Sequence, residues 1–193
     1  MSEKMPFLIR PFHLSDLPQL YRICLQTADS GGGDGSHFFT DPDLMGHFYI
    51  GPYTMLEPDL CFVLVENGRP MGYICATRDV PLFRANCERV WFPPLREQYP
   101  LNTERPLTEA EKELYTLIHE GVDLNDDVAA YSARLHIALL PAVQRRGGGR
   151  QLMQTVIAQL QTIGTTGLHL EVNRSNQRAI AFYEAVGFHR VAE

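Results

Sequence analysis

The chain has no long apolar run. Its clearest ones, Leu60 to Val65 and Ile137 to Leu140, fall far below the ~20 residues that a membrane-crossing helix needs, which excludes a helical membrane protein. An export signal is missing as well: Met1-Ser2-Glu3-Lys4 leads into mixed sequence, so the expected location is the cytoplasm. Cysteine is scarce. Cys24, Cys61, Cys75 and Cys87 lie in apolar surroundings without the close pairs of a zinc site, so buried free thiols are expected rather than disulfides or a metal. Positive charge is in deficit, 17 Lys and Arg against 23 Asp and Glu, for a formal net charge of -6. With no broad basic face and no repeated stacking pattern, nucleic acid is not an expected partner. Repeats and low-complexity tails are absent too. What remains is 193 residues, 45% of them hydrophobic, enough for one sizeable core and short for two, so residues 1–193 are read as one domain.

Phe7-Leu8-Ile9-Arg10 reads as a short strand, held from helix by Pro11. Ser15 offers an N-cap for a helix to about Thr27, in which Leu17, Leu20, Tyr21, Cys24 and Leu25 recur at three- and four-residue intervals; the glycines at 31–33 end that pattern. Asp41 caps a second predicted helix that starts at Pro42 and runs to about Tyr49. Leu60–Val65 and Met71–Thr77 flank Asn67-Gly68, the turn chemistry of a hairpin. Residues 79–130 form an insert with predicted helices at Pro81–Arg89 and Thr108–His119, interrupted by Pro93-Pro94. No second core is evident in it, so it is read as an elaboration of the same domain. Thereafter a strand at Arg134–Leu140, a helix at Gly149–Ile163, a strand at Gly167–Val172, a helix at Asn176–Ala185 and an extended end at Phe188–Val191 alternate. That order predicts an α/β fold, a mixed twisted sheet flanked by helices with a helical insert ahead of strand 134–140.

The chemistry concentrates at the corner Leu139-Leu140-Pro141-Ala142-Val143-Gln144-Arg145-Arg146-Gly147-Gly148-Gly149-Arg150. Glycines let the backbone turn tightly, and the unpaired N–H groups of the helix that follows can face a pyrophosphate. Pro141 removes one donor and favours parting of the strand edge, after which Leu139 and Leu140 can pair through their backbone with an extended amide-bearing ligand such as pantetheine. A glycine turn that only starts a helix is the plainer alternative. The dinucleotide fingerprint and the phosphate loop ending in Gly-Lys-Ser/Thr both fail to match.

Gln144-Arg145-Arg146-Gly147-Gly148-Gly149 resembles the Gln/Arg-x-x-Gly-x-Gly/Ala motif of the GNAT superfamily of N-acetyltransferases, and Asn176 through Phe188 resembles that superfamily's second cofactor region. Cys24 to Asp29, Asp41 to His47 and Gly51-Pro52-Tyr53 further resemble bacterial relatives of the acetyltransferase-like domain attached to O-GlcNAc hydrolases. The resemblance implies a GNAT-like fold, acetyl-CoA as cosubstrate, and transfer of acetyl to a primary amine on a small molecule or a protein by direct attack in a ternary complex. The other function it implies is a weak or inactive acyl-CoA-binding module for sensing or recruitment. Cofactor contacts are expected from Leu139, Leu140, Gln144, Arg145, Arg146, Gly147, Gly148, Gly149, Arg150, Asn176, Ala179, Phe182 and Tyr183.

By the same resemblance Tyr183 is the candidate acid for the departing thiolate, or the group that orients it. His136 is the candidate base. Alternation places it on one strand face with Ala138 and Leu140, opposite Ile137 and Leu139. Relatives are expected to carry an acidic residue near the position of Ala138, which this chain lacks. For the acceptor, Asp29, Asp34, His37, Asp41 and His47 cluster between the first two helices, and Glu171 ends the strand before Asn173; carboxylates there can hold a cationic amine. Trp91 either braces the insert or walls the cleft. The sequence leaves acceptor identity open, and monomer or homodimer alike.

Overall fold

The computed structural model describes residues 7–29, 33–121 and 126–191; glycines 31 and 32 and insert residues 122–125 lie outside them. A five-stranded sheet runs β1 (Leu8–Pro11), β2 (Cys61–Glu66), β3 (Arg69–Thr77), β4 (Ala133–Leu139) and β5 (Leu168–His169) in spatial as in sequence order. The first three junctions are antiparallel and β4–β5 is parallel. Asn67 and Gly68 turn the β2–β3 hairpin with φ of 52° and 74°, the paired left-handed conformation that makes an Asn-Gly turn match the twist of its strands.

β2 and β3 are covered on both faces. Val63, Tyr73 and Cys75 meet α1 (Leu17–Gln26), α2 (Leu44–Tyr49) and α3 (Gly51–Leu56). Residues from the insert come next, α4 (Val80–Asn86), a π turn (Cys87–Trp91), α5 (Phe92–Gln98) and α6 (Glu109–Glu120). On the opposite face Leu64 and Ile74 meet α7 (Gly148–Thr162), with α8 (Gln177–Ala185) beside it. Leu64 and Ile74 are fully covered, and each such side chain contributes about 1.5–3 kcal/mol. The four cysteines are buried and unpaired. Among the described residues no helix is long and apolar enough to cross a membrane.

Several boundaries differ from expectation. Pro93 and Pro94 do not break a helix but start α5, because first-turn residues need no N–H partner; the π turn runs directly into them. The insert also gathers a cluster of its own, Cys87, Phe92, Leu95, Leu114 and Ile118, closed by Leu44 and Phe48 of α2. Asp16 rather than Ser15 precedes α1, held by Arg10 at 2.7 and 2.8 Å, and Asp43 rather than Asp41 precedes α2. β5 has two residues where six were expected, and Phe188–Val191 joins no strand. An extended segment becomes a strand only beside a partner, and β4 turns away from β5 after the pairs Ala133–Leu168 and Arg134–His169.

Candidate active site

The parting of β4 from β5 leaves one edge of β4 without a strand neighbour. Leu140 N–H donates to Met71 O at 2.9 Å, and in an antiparallel ladder the backbone groups of alternate residues face alternate sides. Leu139 and Ile137 therefore direct their N–H and C=O toward the gap. In the described structure the Leu139 carbonyl accepts Gln144 Nε2 at 2.7 Å, and Gln144 Oε1 accepts Arg178 of α8. That bridge spans the gap and ties the β4 edge to α8.

The gap opens beside the α7 N-terminus, where the backbone is under strain. Arg145 has φ of 56° and Gly147 of 90°, left-handed conformations that a non-glycine residue adopts at a cost. Alternation of such residues makes a concave nest of N–H groups. Among the described residues, none of the consecutive amides of Arg145 through Arg150 donates to a protein acceptor; the first α7 amide that does is Gln151, to Gly147 O. The helix dipole adds positive potential there. Gly149 lets α8 close in: a Cβ would lie 3.2 Å from Phe182 Cζ, so Phe182 stands over the gap beside Leu139.

The arginines divide. Arg146 pairs with Glu66 at 2.6 Å and lies 4.7 Å over the Phe7 ring. Arg150 donates to Ala185 O at the end of α8. Both brace the corner, while the Arg145 side chain is exposed. Asn176 caps α8, its Oδ1 accepting Ala179 N–H at 3.0 Å.

On the other side of the gap lies a cavity of about 440 Å³ into which His136, Arg134, Tyr49, Tyr53 and Glu171 face. His136 accepts or donates at Nε2 with Tyr73 Oη at 3.0 Å and stacks on Tyr49. Burial, aided by Arg134, pushes it down to about 4, so it is neutral at pH 7. Ala138 is on the same face, buried with Tyr21 and Tyr73, and Ile137 and Leu139 are on the α7 face, as alternation predicts. Tyr183 lines a different, more apolar cavity of about 630 Å³ between α7 and α8. Burial pushes its phenol up to about 12. Glu171 and Val172 border both cavities.

Of the acceptor candidates, only Glu171 reaches the cavity beside His136; among the described residues Asp29, Asp34, His37, Asp41 and His47 are not in its lining. Asp34 accepts Ser36 N–H and Oγ–H; Asp41 accepts Asp43 N–H and the Tyr99 hydroxyl; His47 Nδ1 meets that hydroxyl at 2.8 Å. His37 lies against Phe38, and Asp29 lies against Gly33. Thr40 in the same loop donates its N–H at 2.8 Å and its Oγ–H to Glu111 of α6, a fully covered carboxylate. Trp91 braces the insert by donating to His47 O at 2.9 Å. Sequence reasoning missed Arg134, which the alternation that placed His136 also puts on that face.

A model of the acetyltransferase (GNAT) family matches residues 33–188. Over 189 residues the chain is 29% identical to protein O-GlcNAcase of Rattus norvegicus, covering 97% of this chain and 20% of that protein; it thus spans a fifth of that relative's length. Over 53 residues it is 51% identical to the ribosomal protein bS18-alanine N-acetyltransferase of Salmonella typhimurium, 28% of this chain and 36% of that one. The solved structure of SsHAT is 37% identical with a TM-score of 0.90, covering 97% of this chain and 93% of that chain. The ribosomal-protein-S18-alanine N-acetyltransferase of Escherichia coli, at 22% identity and TM-score 0.53 over 97% and 80% of the two chains, shares the fold.

Proposed function

The chain belongs to the acetyltransferase (GNAT) family, and from that premise we propose that it transfers acetyl from acetyl-CoA to a primary amine by direct attack in a ternary complex. The observation that carries this reading is the run of unspent amides, Arg145 to Arg150, beside the free edge of β4. Such donors suit a pyrophosphate, and the outward backbone groups of Leu139 and Ile137 suit an amide-bearing arm, once Gln144 releases the Leu139 carbonyl. Acetyl-CoA supplies an activated thioester; the rest falls to this chain's side chains.

Those side chains hold protons in defined places. Burial pushes the Tyr183 phenol up to about 12, so it stays protonated at pH 7 and has a hydrogen to donate to the leaving sulfur. His136, held at about 4, is too weak to deprotonate an alkylammonium near 10.4; the amine enters the cavity already neutral, and His136 orients it. Calorimetric titration with acetyl-CoA, followed by thiol release with a panel of amines, tests the reading: saturable 1:1 binding with turnover supports it, and absence of saturable binding rejects it.

A second reading, a weak or inactive acyl-CoA-binding module, draws support from that same depressed His136 and from Ala138 where an acid was expected. Binding without release of thiol from any amine would favour it.

A further inference from the structure

The cavity beside His136 contains a cation that the acetyl-transfer reading does not use. The Arg134 side chain is 21% exposed, and among the described residues its one ion pair is with Glu171 at 3.8 Å, a carboxylate that is itself 59% exposed. Among the described residues no protein acceptor takes a hydrogen bond from its guanidinium, although five N–H donors are available there. Among the described residues no fully buried side-chain nitrogen or oxygen lacks a partner, and Arg134 lines the cavity, so these donors are not sealed in the core: they open onto the cavity. Arg84 of α4 borders the same space, giving two guanidinium groups against one carboxylate. The remaining walls are largely apolar or aromatic, among them Tyr49, Tyr53, Phe83 and Phe92.

We infer that Arg134 forms an oxyanion subsite, so that the amine taken by this protein is a small molecule carrying a carboxylate and an apolar or aromatic body. The inference deepens the acetyl-transfer reading and rests on it for the amine alone. A planar carboxylate matches the fork of a guanidinium with two parallel bonds. A phosphate dianion meets more repulsion from Glu171, 3.8 Å from the same guanidinium. The volume of about 440 Å³ is at the lower end of small-molecule sites, roughly 300–1,000 Å³, which fits a free amino acid better than a folded protein surface.

The test uses the full chain and ligands that cannot be acetylated. Calorimetry at pH 7 compares 3-phenylpropionate with its amide, 3-phenylpropanamide, and with phenyl phosphate. The carboxylate is expected to bind saturably, about 10- to 100-fold tighter than the amide, and tighter than the phosphate. Arg134→Gln should abolish the preference for carboxylate over amide, and Arg84→Gln should reduce it by a few-fold. Equal binding of carboxylate and amide by the unaltered protein, no binding of either, or tighter binding of phenyl phosphate overturns the assignment, whether or not Arg134→Gln folds. Acetyl-CoA is titrated separately: a carboxylate preference without acetyl-CoA binding defeats the acetyl-transfer reading and leaves the subsite standing, whereas acetyl-CoA binding without that preference does the reverse.

Discussion

Two regions drew attention as sites, the glycine corner at 139–150 and the acidic, histidine-bearing loop at 29–47, and they differ in what they do with their polar groups. The loop uses them internally: Asp34 turns its own chain, Asp41 and His47 share the Tyr99 hydroxyl, and Thr40 binds Glu111. The corner leaves successive amides without an acceptor among the described residues and holds Arg145 and Gly147 in left-handed conformations. Donors without protein acceptors at a turn with left-handed residues suit an anion, whereas a satisfied network suits a joint.

Substitutions can break that contrast, starting with the joint. Glu111→Ala leaves the Thr40 and Thr108 amides without their acceptor, while Arg105 keeps the Tyr115 hydroxyl, and should cost about 2–3 kcal/mol in urea unfolding. The folded fraction should bind acetyl-CoA within about twofold of the unaltered protein; a large loss of affinity would make the loop part of the cofactor site.

Acid separates the loop's anchor, Glu111, from the β4 face that leads into the corner. His136 has a folded value of about 4 against 6.5 unfolded, so below 6.5 the unfolded chain takes up a proton that the folded one refuses. Stability from this residue is complete above 6.5 and falls as pH drops toward 4, by up to about 3 kcal/mol. Burial opposes ionisation of Glu111, but Thr40, Thr108 and Arg105 outweigh it and bring it from 4.5 to about 2; its contribution is present above 4.5 and is lost between 4.5 and 2. Unfolding curves across pH should show both windows, and His136→Phe should flatten the upper one alone.

At the corner, Gly147→Val places a branched side chain at φ of 90°, at a cost of about 1–2 kcal/mol. By displacing the amides, it should weaken acetyl-CoA binding about 10- to 100-fold. Unchanged affinity in calorimetry would reduce the glycine turn to a helix start. The smallest effect divides the arginines: Arg145→Gln should weaken binding about two- to fivefold, while Arg146→Gln, which loses Glu66 and Phe7, should lower the melting temperature and leave affinity nearly as it was.

The same contrast explains what could be read in advance. The corner is local: glycine spacing, a proline and a following amphipathic helix suffice to predict it, and strand alternation alone puts His136 and Ala138 on one face. The cavity beside His136 is not local. Tyr49 and Tyr53, Arg84, Arg134 and Glu171 come from α2 and α3, α4, β4 and the segment after β5, and no spacing joins them. Asp29, Asp34, His37, Asp41 and His47 stand together in sequence, but local turn chemistry engages Asp34 and Asp41, and the distant Tyr99 hydroxyl engages Asp41 and His47. The short β5 and the absence of a strand at Phe188–Val191 went unforeseen because alternation records a capacity for strand, while the ladder depends on where β4 goes.

Amide ¹⁵N–¹H spectra recorded through an acetyl-CoA titration test the central claim directly. The account predicts saturable shifts at Arg145 through Arg150, with those of Asp34 through His47 nearly still; saturation with the corner unmoved would contradict it.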